Sequence, residues 1–173
     1  VYASQFPEHF EDAAGYGWTV GESTFDWKTL VANKEREISR LEAIYERNVK
    51  DAGGETIHSR ATLVDAHTIR IEAENRTVTA DQILIATGGR AATHPALPGH
   101  EHCIYSNEVF DLPELPKAIM IEGGGYIAVE FANIFHGLGV DTTLVYRGKE
   151  ILSRFDMDLR RMLHETMEQK GIK

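Results

Sequence analysis

The sequence has a single cysteine, Cys103, among its 173 residues. One thiol cannot form an internal disulfide, so the chain by itself cannot perform a dithiol–disulfide step, and we expect a reducing, cytoplasmic compartment. Basic residues are also few relative to acidic ones: the formal net charge of −9 disfavours a nucleic-acid partner. No apolar run approaches membrane-spanning length, so we expect no membrane partner. The remaining composition, 42% hydrophobic and 26% charged residues, is typical of a globular protein with a hydrophobic core.

Motifs for hydrolysis or metal binding are sparse as well. The eight histidines are scattered, and none lies with a serine and an aspartate in a nucleophile motif. His100, His102 and Cys103 are close together in one segment. No second pair follows at zinc-site spacing, so we expect no metal site.

A glycine-rich segment after a short apolar strand is the strongest functional signal. The pattern predicts a strand at 119–122 and a helix from 126 to about 138, with Gly123, Gly125 and Ala128 in G-x-G-x-x-A spacing between and within them. Gly123 permits a tight turn, Gly125 lets a pyrophosphate approach the backbone, and the small Ala128 lets the helix pack close to the strand. This context predicts a dinucleotide site, with a plain strand–helix connection as the alternative.

The segment after the next strand indicates which dinucleotide binds. We predict that strand at 142–146, and Arg147, Lys149 and Arg154 follow it. NAD-binding units usually have an acidic residue at the end of this strand. Arg147 instead offers a guanidinium group that can bind an adenosine 2′-phosphate through two hydrogen bonds. We interpret the unit as NADPH-preferring; the alternative is a solvated basic segment whose field is diluted by Glu150.

The preceding part of the chain predicts a long helix, an antiparallel meander and a buried strand. Asp26 is the expected N-cap of an amphipathic helix that runs to about Val49. The meander is predicted from short alternating strands at 56–59, 62–64, 68–72 and 76–79. The apolar run 82–86 is predicted as a buried strand that ends at Thr87 and Gly88, small residues where backbone could lie against a flat cofactor.

Several segments together resemble one known family. They are Ala86–Gly89, Leu97–Gly99, Ser106–Phe110 and Gly123–Ala132. The chain looks like the middle of a pyridine nucleotide–disulfide oxidoreductase. Within that family it is most similar to the branch that reduces glutathione disulfide, on the evidence of Ala14–Trp18, Phe25–Trp27 and Arg147. The resemblance implies a homodimeric enzyme in which NADPH reduces FAD, FAD reduces an active-site disulfide, and the dithiol reduces glutathione disulfide.

The resemblance also implies a fold class and a domain order. It predicts an α/β protein with Rossmann-like dinucleotide-binding folds: the later part of an FAD-binding domain at 1–115, then the first half of an NADPH-binding domain at 116–173. A linker containing proline and histidine is expected at 93–99. The redox cysteine pair and the acid–base histidine of the family would lie outside this sequence, so we expect an interior piece that is inactive alone. The alternatives are an NAD-dependent dihydrolipoamide dehydrogenase-like flavoenzyme, which should carry an acid where Tyr146 stands, and a catalytically inert nucleotide-binding fragment.

Roles for individual residues follow from the resemblance. Tyr126 resembles the tyrosine that covers the flavin on the nicotinamide side, and Glu130 the acid that pairs with a flavin-contacting lysine; these are the predicted catalytic residues. The predicted cofactor-binding residues are Ala61, Thr87, Gly88, Gly123, Gly125, Tyr126, Ile127, Ala128, Glu130, Arg147 and Arg154. In the alternative interpretation, Tyr126 is a packing aromatic and Glu130 is a solvated acid. Ala61 is then an ordinary strand residue, and Thr87 and Gly88 form a plain turn. Because Ser153 stands where the family usually has an arginine after leucine, we expect the second phosphate contact to shift to Arg154.

Overall fold

The computed structural model describes residues 1–92 and 97–173, so the predicted linker at 93–99 lies partly outside the described residues. The chain forms two compact units. Unit 1 comprises 1–31 and 106–173, and unit 2 comprises 32–105. The predicted boundary after residue 115 is defined by which cofactor each part binds, FAD before it and NADPH after it. It stays a prediction.

Within residues 1–92 and 97–173, the structure has four α-helices and five strands. In chain order they are α1 (Tyr2–Ala13), α2 (Trp27–Asp51), β1 (Ala61–Leu63), β2 (Thr68–Ile71), β3 (Arg76–Thr79), β4 (Ala118–Glu122), α3 (Tyr126–Gly137), β5 (Asp141–Val145) and α4 (Met157–Lys170). Short 3₁₀ helices occur at Ala14–Tyr16, His100–His102 and Glu108–Asp111. Among the residues that the structure describes, no helix combines the length and the apolar character that a membrane crossing needs.

The βαβ unit predicted from the sequence is present as β4, α3 and β5. The two strands pair in parallel over their full lengths. After α3 the chain reverses at Gly139, which has a φ of 85° and donates its N–H to the His136 carbonyl at 2.9 Å. On the other edge of β5, Lys173 donates its N–H to the Thr142 carbonyl at 3.0 Å and accepts from the Leu144 N–H at 2.7 Å. β5 is therefore hydrogen-bonded on both edges, like an interior strand of a Rossmann-type sheet.

The core of unit 1 is built around α3. One cluster contains Val129, Ala132, Ile151, Met167 and Ile172, and the other contains Val109, Phe135 and Val140. Ala132 and Phe135 are fully buried. The Trp27 ring stacks against Phe135 with the centroids 6.3 Å apart, and its indole N–H donates to the Leu112 carbonyl at 2.8 Å. These contacts fix the position of α3. They therefore also fix the N-terminus of α3, which follows the glycine turn.

α1 approaches α3 closely at Gly137. A Cβ added to Gly137 would lie 2.3 Å from the Ser4 carbonyl oxygen, so only glycine permits this approach. The N-terminal helix is also joined to α4, because the Lys170 ammonium lies 2.9 Å from the Glu8 carboxylate. α3 is thus covered by another helix in addition to the strands.

Helix α2 begins as predicted. The Asp26 carboxylate accepts hydrogen bonds from the N–H groups of Lys28 and Thr29 at 3.3 and 3.1 Å, which caps the helix. Within unit 2, strands β1, β2 and β3 form an antiparallel sheet in that order. The predicted strands at 62–64, 68–72 and 76–79 are confirmed to within one residue.

Two predicted strands are wrong. Residues 56–59 and 82–86 have no regular secondary structure, and the side chains of Leu84 and Ile85 are 90% and 66% exposed. A buried strand needs hydrogen-bonded neighbours and packed layers on both faces. In the described part of unit 2 no strand pairs with 82–86, so the apolar run has nothing to be buried against.

Candidate dinucleotide-binding site

The glycine turn lies between the end of β4 and the start of α3. Gly123 has a φ of 139°, which L side chains rarely adopt, and it donates its N–H to the Val145 carbonyl of β5 at 2.9 Å. A Cβ built on Gly123 would lie 3.2 Å from the Ala128 Cβ. Both residues are therefore small because the strand end and the first turn of α3 are almost in contact.

The first turn of α3 offers free backbone donors. Gly125 is the N-cap residue and has no side chain with which to accept their hydrogen bonds, and the first turn carries no acidic residue. The N–H groups that begin a helix have no acceptor within it. Within the described part of the chain, a Cβ built on Gly125 would meet no atom within 4 Å, so this side of the turn is open. Free donors, the helix dipole and open space together suit a phosphate group.

The side chains of the first turn divide between solvent and core. Tyr126 and Ile127 are 62% and 44% exposed, whereas Ala128 is buried. Glu130, one turn further along, is exposed. The exposure of Tyr126 argues against a core-packing role and leaves its ring at the mouth of the glycine turn. Its role as a cover for the flavin stays a prediction, as does the pairing of Glu130 with a lysine.

Residues 147–154, which we call the basic loop, fold back onto the glycine turn. The N–H of Leu152, a residue with a φ of 54°, donates to the Gly124 carbonyl at 2.6 Å. The Tyr146 ring lies beside Gly124 and Gly148, because a Cβ added to either glycine would come within 2.6 Å of that ring. The basic loop and the glycine turn therefore form one continuous surface.

The positive charges of the basic loop are available to a ligand. Arg147, Lys149 and Arg154 are exposed, and within the described residues none of them has an ion-pair partner. The acid in the loop, Glu150, points elsewhere: its carboxylate lies 2.8 Å from Nδ1 of His164 on α4. The hydrogen bond with Glu150 raises the pKa of His164. Glu150 is thus hydrogen-bonded to α4 and not to a cation of the basic loop.

The predicted FAD contacts lie in unit 2. Ala61 is the first residue of β1, and Thr87 and Gly88 lie in an irregular segment, with Gly88 at a φ of 72°. All three are exposed. Their contact with FAD stays a prediction.

Two groups beside the site were not predicted from the sequence. Arg160 of α4 donates to the backbone carbonyls of the basic loop, and His164 holds the Glu150 carboxylate. Near them is a shallow cavity of about 140 Å³, lined by Leu144, Tyr146, Gly148, Lys149, Ile151, His164, Met167, Glu168, Ile172 and Lys173. The contacts of Arg160 and His164 join residues 9 to 14 positions apart, and no motif in the sequence signals them.

The remaining candidate groups lie apart from this surface in the sequence. Cys103 is a free, exposed thiol. Among the described residues, no group of three or more His, Cys, Asp or Glu side chains is placed to hold a metal ion.

Known proteins resemble this chain over nearly its whole length. The sequence profile of the pyridine nucleotide-disulphide oxidoreductase family matches residues 3–173. The glutathione reductase of Nostoc sp. (strain PCC 7120) is 48% identical over 173 residues, which are 100% of this chain and 37% of that protein. The glutathione reductase of Burkholderia cepacia is 42% identical over 172 residues, which are 99% of this chain and 38% of that protein.

Solved structures give the same result at the level of the fold. The HOCl-induced flavoprotein disulfide reductase RclA from Escherichia coli matches with a TM-score of 0.75 and 26% identity, over 86% of this chain and 35% of that one. The chain therefore spans between a third and two-fifths of the length of the relatives it matches. The predicted α/β class with Rossmann-like folds is confirmed, and the chain belongs to the pyridine nucleotide-disulphide oxidoreductase family.

Proposed function

We propose that this chain is the middle part of an NADPH-dependent flavoenzyme that reduces glutathione disulfide. Two relatives at 48% and 42% identity carry the name glutathione reductase. The free thiol of Cys103 cannot form a dithiol within these residues, so the redox-active disulfide belongs to another part of the complete enzyme. Under this proposal, the complete enzyme is a homodimer. It works in a reducing, cytoplasmic compartment.

The observation that carries the proposal is the attachment of the basic loop to the glycine turn. The N–H groups at the start of α3 suit the pyrophosphate, since the first turn carries no acidic residue and the N-cap Gly125 has no side chain to accept from them. The Leu152–Gly124 hydrogen bond holds the basic loop against that turn. Arg147 and Arg154, which have no ion-pair partner among the residues that the structure describes, then supply guanidinium groups for the 2′-phosphate that distinguishes NADPH from NADH.

The other predicted residues take roles around this nucleotide site. Tyr126 covers the flavin until NADPH arrives, and its exposure leaves the ring free to move. Glu130 pairs with a lysine near the flavin. Ala61, Thr87 and Gly88 contact FAD through their backbone. When bound, FAD supplies the two-electron chemistry that links the nicotinamide to the disulfide.

The test is turnover and nucleotide selectivity of the complete protein. Purified enzyme should be yellow and should reduce glutathione disulfide with NADPH far faster than with NADH. Arg147→Glu should cost about 2–4 kcal/mol in kcat/KM for NADPH, since it removes a charge-assisted contact and adds repulsion toward the 2′-phosphate. The same change at Arg161, an exposed residue of α4 outside the basic loop, is the matched control and should leave the selectivity intact.

Each alternative predicts a different result. Equal losses for NADPH and NADH in Arg147→Glu would show that the basic loop does not recognise the 2′-phosphate. Preference for NADH together with lipoamide would favour a dihydrolipoamide dehydrogenase-like enzyme. A colourless protein with no turnover would favour an inert nucleotide-binding protein.

A further inference from the structure

The arginines of the basic loop depend on its backbone for their position. Within the described residues, neither Arg147 nor Arg154 has a partner that orients its side chain. One attachment of the loop is to the glycine turn, through the Leu152 N–H and the Gly124 carbonyl. The position of the guanidinium groups therefore depends on what else holds this backbone.

Arg160 of α4 holds the middle of the basic loop. Its Nε donates to the Ile151 carbonyl at 2.6 Å, and its terminal Nη2 donates to the Glu150 carbonyl at 2.9 Å. The planar guanidinium group thus joins two successive peptide carbonyls, a geometry that suits its fixed fork of donors. Hydrogen bonds from a charged donor are stronger than those between neutral groups. Arg160 itself is half-buried, which limits competition from water.

Two further contacts act at the same residues of the loop. The Ile151 side chain is 6% exposed and belongs to the cluster around α3. The Glu150 carboxylate meets His164, which lies one turn after Arg160 on α4. The middle of the loop is therefore fixed to α4 by backbone and side chain, whereas Arg147 on one side and Arg154 on the other remain exposed.

We propose that Arg160 is a positioning residue for NADPH selectivity, which acts by fixing the loop backbone from which Arg147 and Arg154 reach the 2′-phosphate. The inference rests on the proposed function, since it names a residue that tunes the same site. Arg160 directs two of its five N–H donors to carbonyls of the loop, and its role in this proposal is to hold that backbone rather than to contact the phosphate. Without this attachment, binding must also order the loop, and that cost falls on the nucleotide that uses the loop arginines.

The test is a comparison of Arg160→Ala, Arg160→Lys and Arg161→Ala in the complete holoenzyme. In Arg160→Ala, the KM for NADPH should rise about tenfold while kcat changes less than about twofold, because lost hydrogen bonds to a charged group act here on ground-state binding. The KM for NADH should stay within about twofold of the wild type. Arg160→Lys keeps the charge but loses the fork, and it should fall between Arg160→Ala and the wild type. Arg161→Ala removes an exposed arginine and should match the wild type.

Inhibition by nucleotide fragments gives a second measurement that does not need turnover. The inhibition constant of 2′,5′-ADP should rise about tenfold in Arg160→Ala, whereas that of 5′-AMP, which lacks the 2′-phosphate, should be unchanged. If Arg160→Ala does not fold, Arg160→Lys gives the same readout with the charge retained.

The possible outcomes separate this inference from the function on which it rests. A wild type that prefers NADPH, with unchanged selectivity in a folded Arg160 variant, would overturn the positioning role and leave the function standing. A lower melting temperature with an unaltered NADPH-to-NADH ratio would likewise make Arg160 a purely structural residue. A wild type without preference for NADPH would contradict the proposed function itself, and the positioning role would fall with it.

Discussion

The two compact units differ in how completely they bury their apolar residues. Unit 1 encloses Phe135 and Ala132 at 0% exposure and Thr142 at 1%. Among the described residues of unit 2, Ile71 is the single buried hydrophobic side chain, and Leu84 is 90% exposed. Apolar side chains are thus well buried in unit 1, whereas apolar side chains in unit 2 are mostly left accessible to solvent.

The difference comes from the number of layers around each sheet. In unit 1, α3 packs on a parallel strand pair and is also contacted by α1, and one buried cluster joins apolar residues of α3, of β4 and of the 3₁₀ helix Glu108–Asp111. In unit 2, three short antiparallel strands follow one long helix, and the described residues supply no strand beside 82–86. A packed core needs at least two layers with complementary apolar faces. The glycine turn is therefore supported by a buried core, whereas the predicted FAD contacts lie in exposed segments.

The largest expected effect tests this contrast directly. Phe135→Ala should lower the free energy of unfolding by about 3–5 kcal/mol, because it leaves a cavity beside Trp27. Leu84→Ala removes an exposed side chain and should change it by less than about 0.5 kcal/mol. Urea unfolding of the 173-residue chain, followed by circular dichroism, measures both. Comparable losses in the two variants would mean that 82–86 is buried after all.

Two glycines provide the next comparison. Gly137→Ala places a methyl group against the Ser4 carbonyl of α1, and we expect a loss of about 1–3 kcal/mol from this overpacking. Gly89 of unit 2 has no described atom within 4 Å of an added Cβ, so Gly89→Ala should alter stability by less than about 1 kcal/mol. Thermal unfolding of both variants is the measurement. A harmless Gly137→Ala would show that α1 does not pack on α3 as described.

Tyr126 should behave like an exposed residue even though it belongs to the well-packed unit. Tyr126→Ala should change the free energy of unfolding by less than about 0.5 kcal/mol. In the complete enzyme it should nevertheless change the rate at which NADPH reduces the flavin, and should speed NADPH oxidation without disulfide substrate. Stopped-flow absorbance and a thermal melt distinguish the two roles. A lower melting temperature with unaltered flavin kinetics would rule out the cover.

The smallest effect concerns the His164–Glu150 pair. The hydrogen bond with Glu150 raises the pKa of His164, so the pair stabilises the fold fully below the unfolded histidine pKa, about 6.5. That stabilisation is lost as the pH rises through the higher pKa of the folded state. The difference in stability between wild type and His164→Gln should therefore be larger at about pH 5.5 than at about pH 8.5, and below about 1 kcal/mol for so accessible a pair. The same difference at both pH values would contradict the assignment.

Predictions from the sequence held where neighbouring residues decide the structure. Asp26 was expected to cap α2 and does so, because the cap uses N–H groups two and three residues away. The glycine turn was likewise predictable, since Gly123 and Ala128, whose close approach requires small residues, are only five positions apart in the chain. The strand predicted at 82–86 failed for the opposite reason: an apolar run becomes a strand only where another strand pairs with it.

The sequence alone therefore determined the βαβ unit, its glycine turn and the presence of cations after the second strand, because these features depend on local periodicity and residue type. Only the tertiary structure decided how those cations are held. The Tyr146 ring beside Gly124, the Leu152 N–H on the Gly124 carbonyl and the Arg160 fork on Glu150 and Ile151 join residues that are 9 to 28 positions apart. Such contacts depend on how the chain packs, so the pattern of residues in the sequence does not predict them.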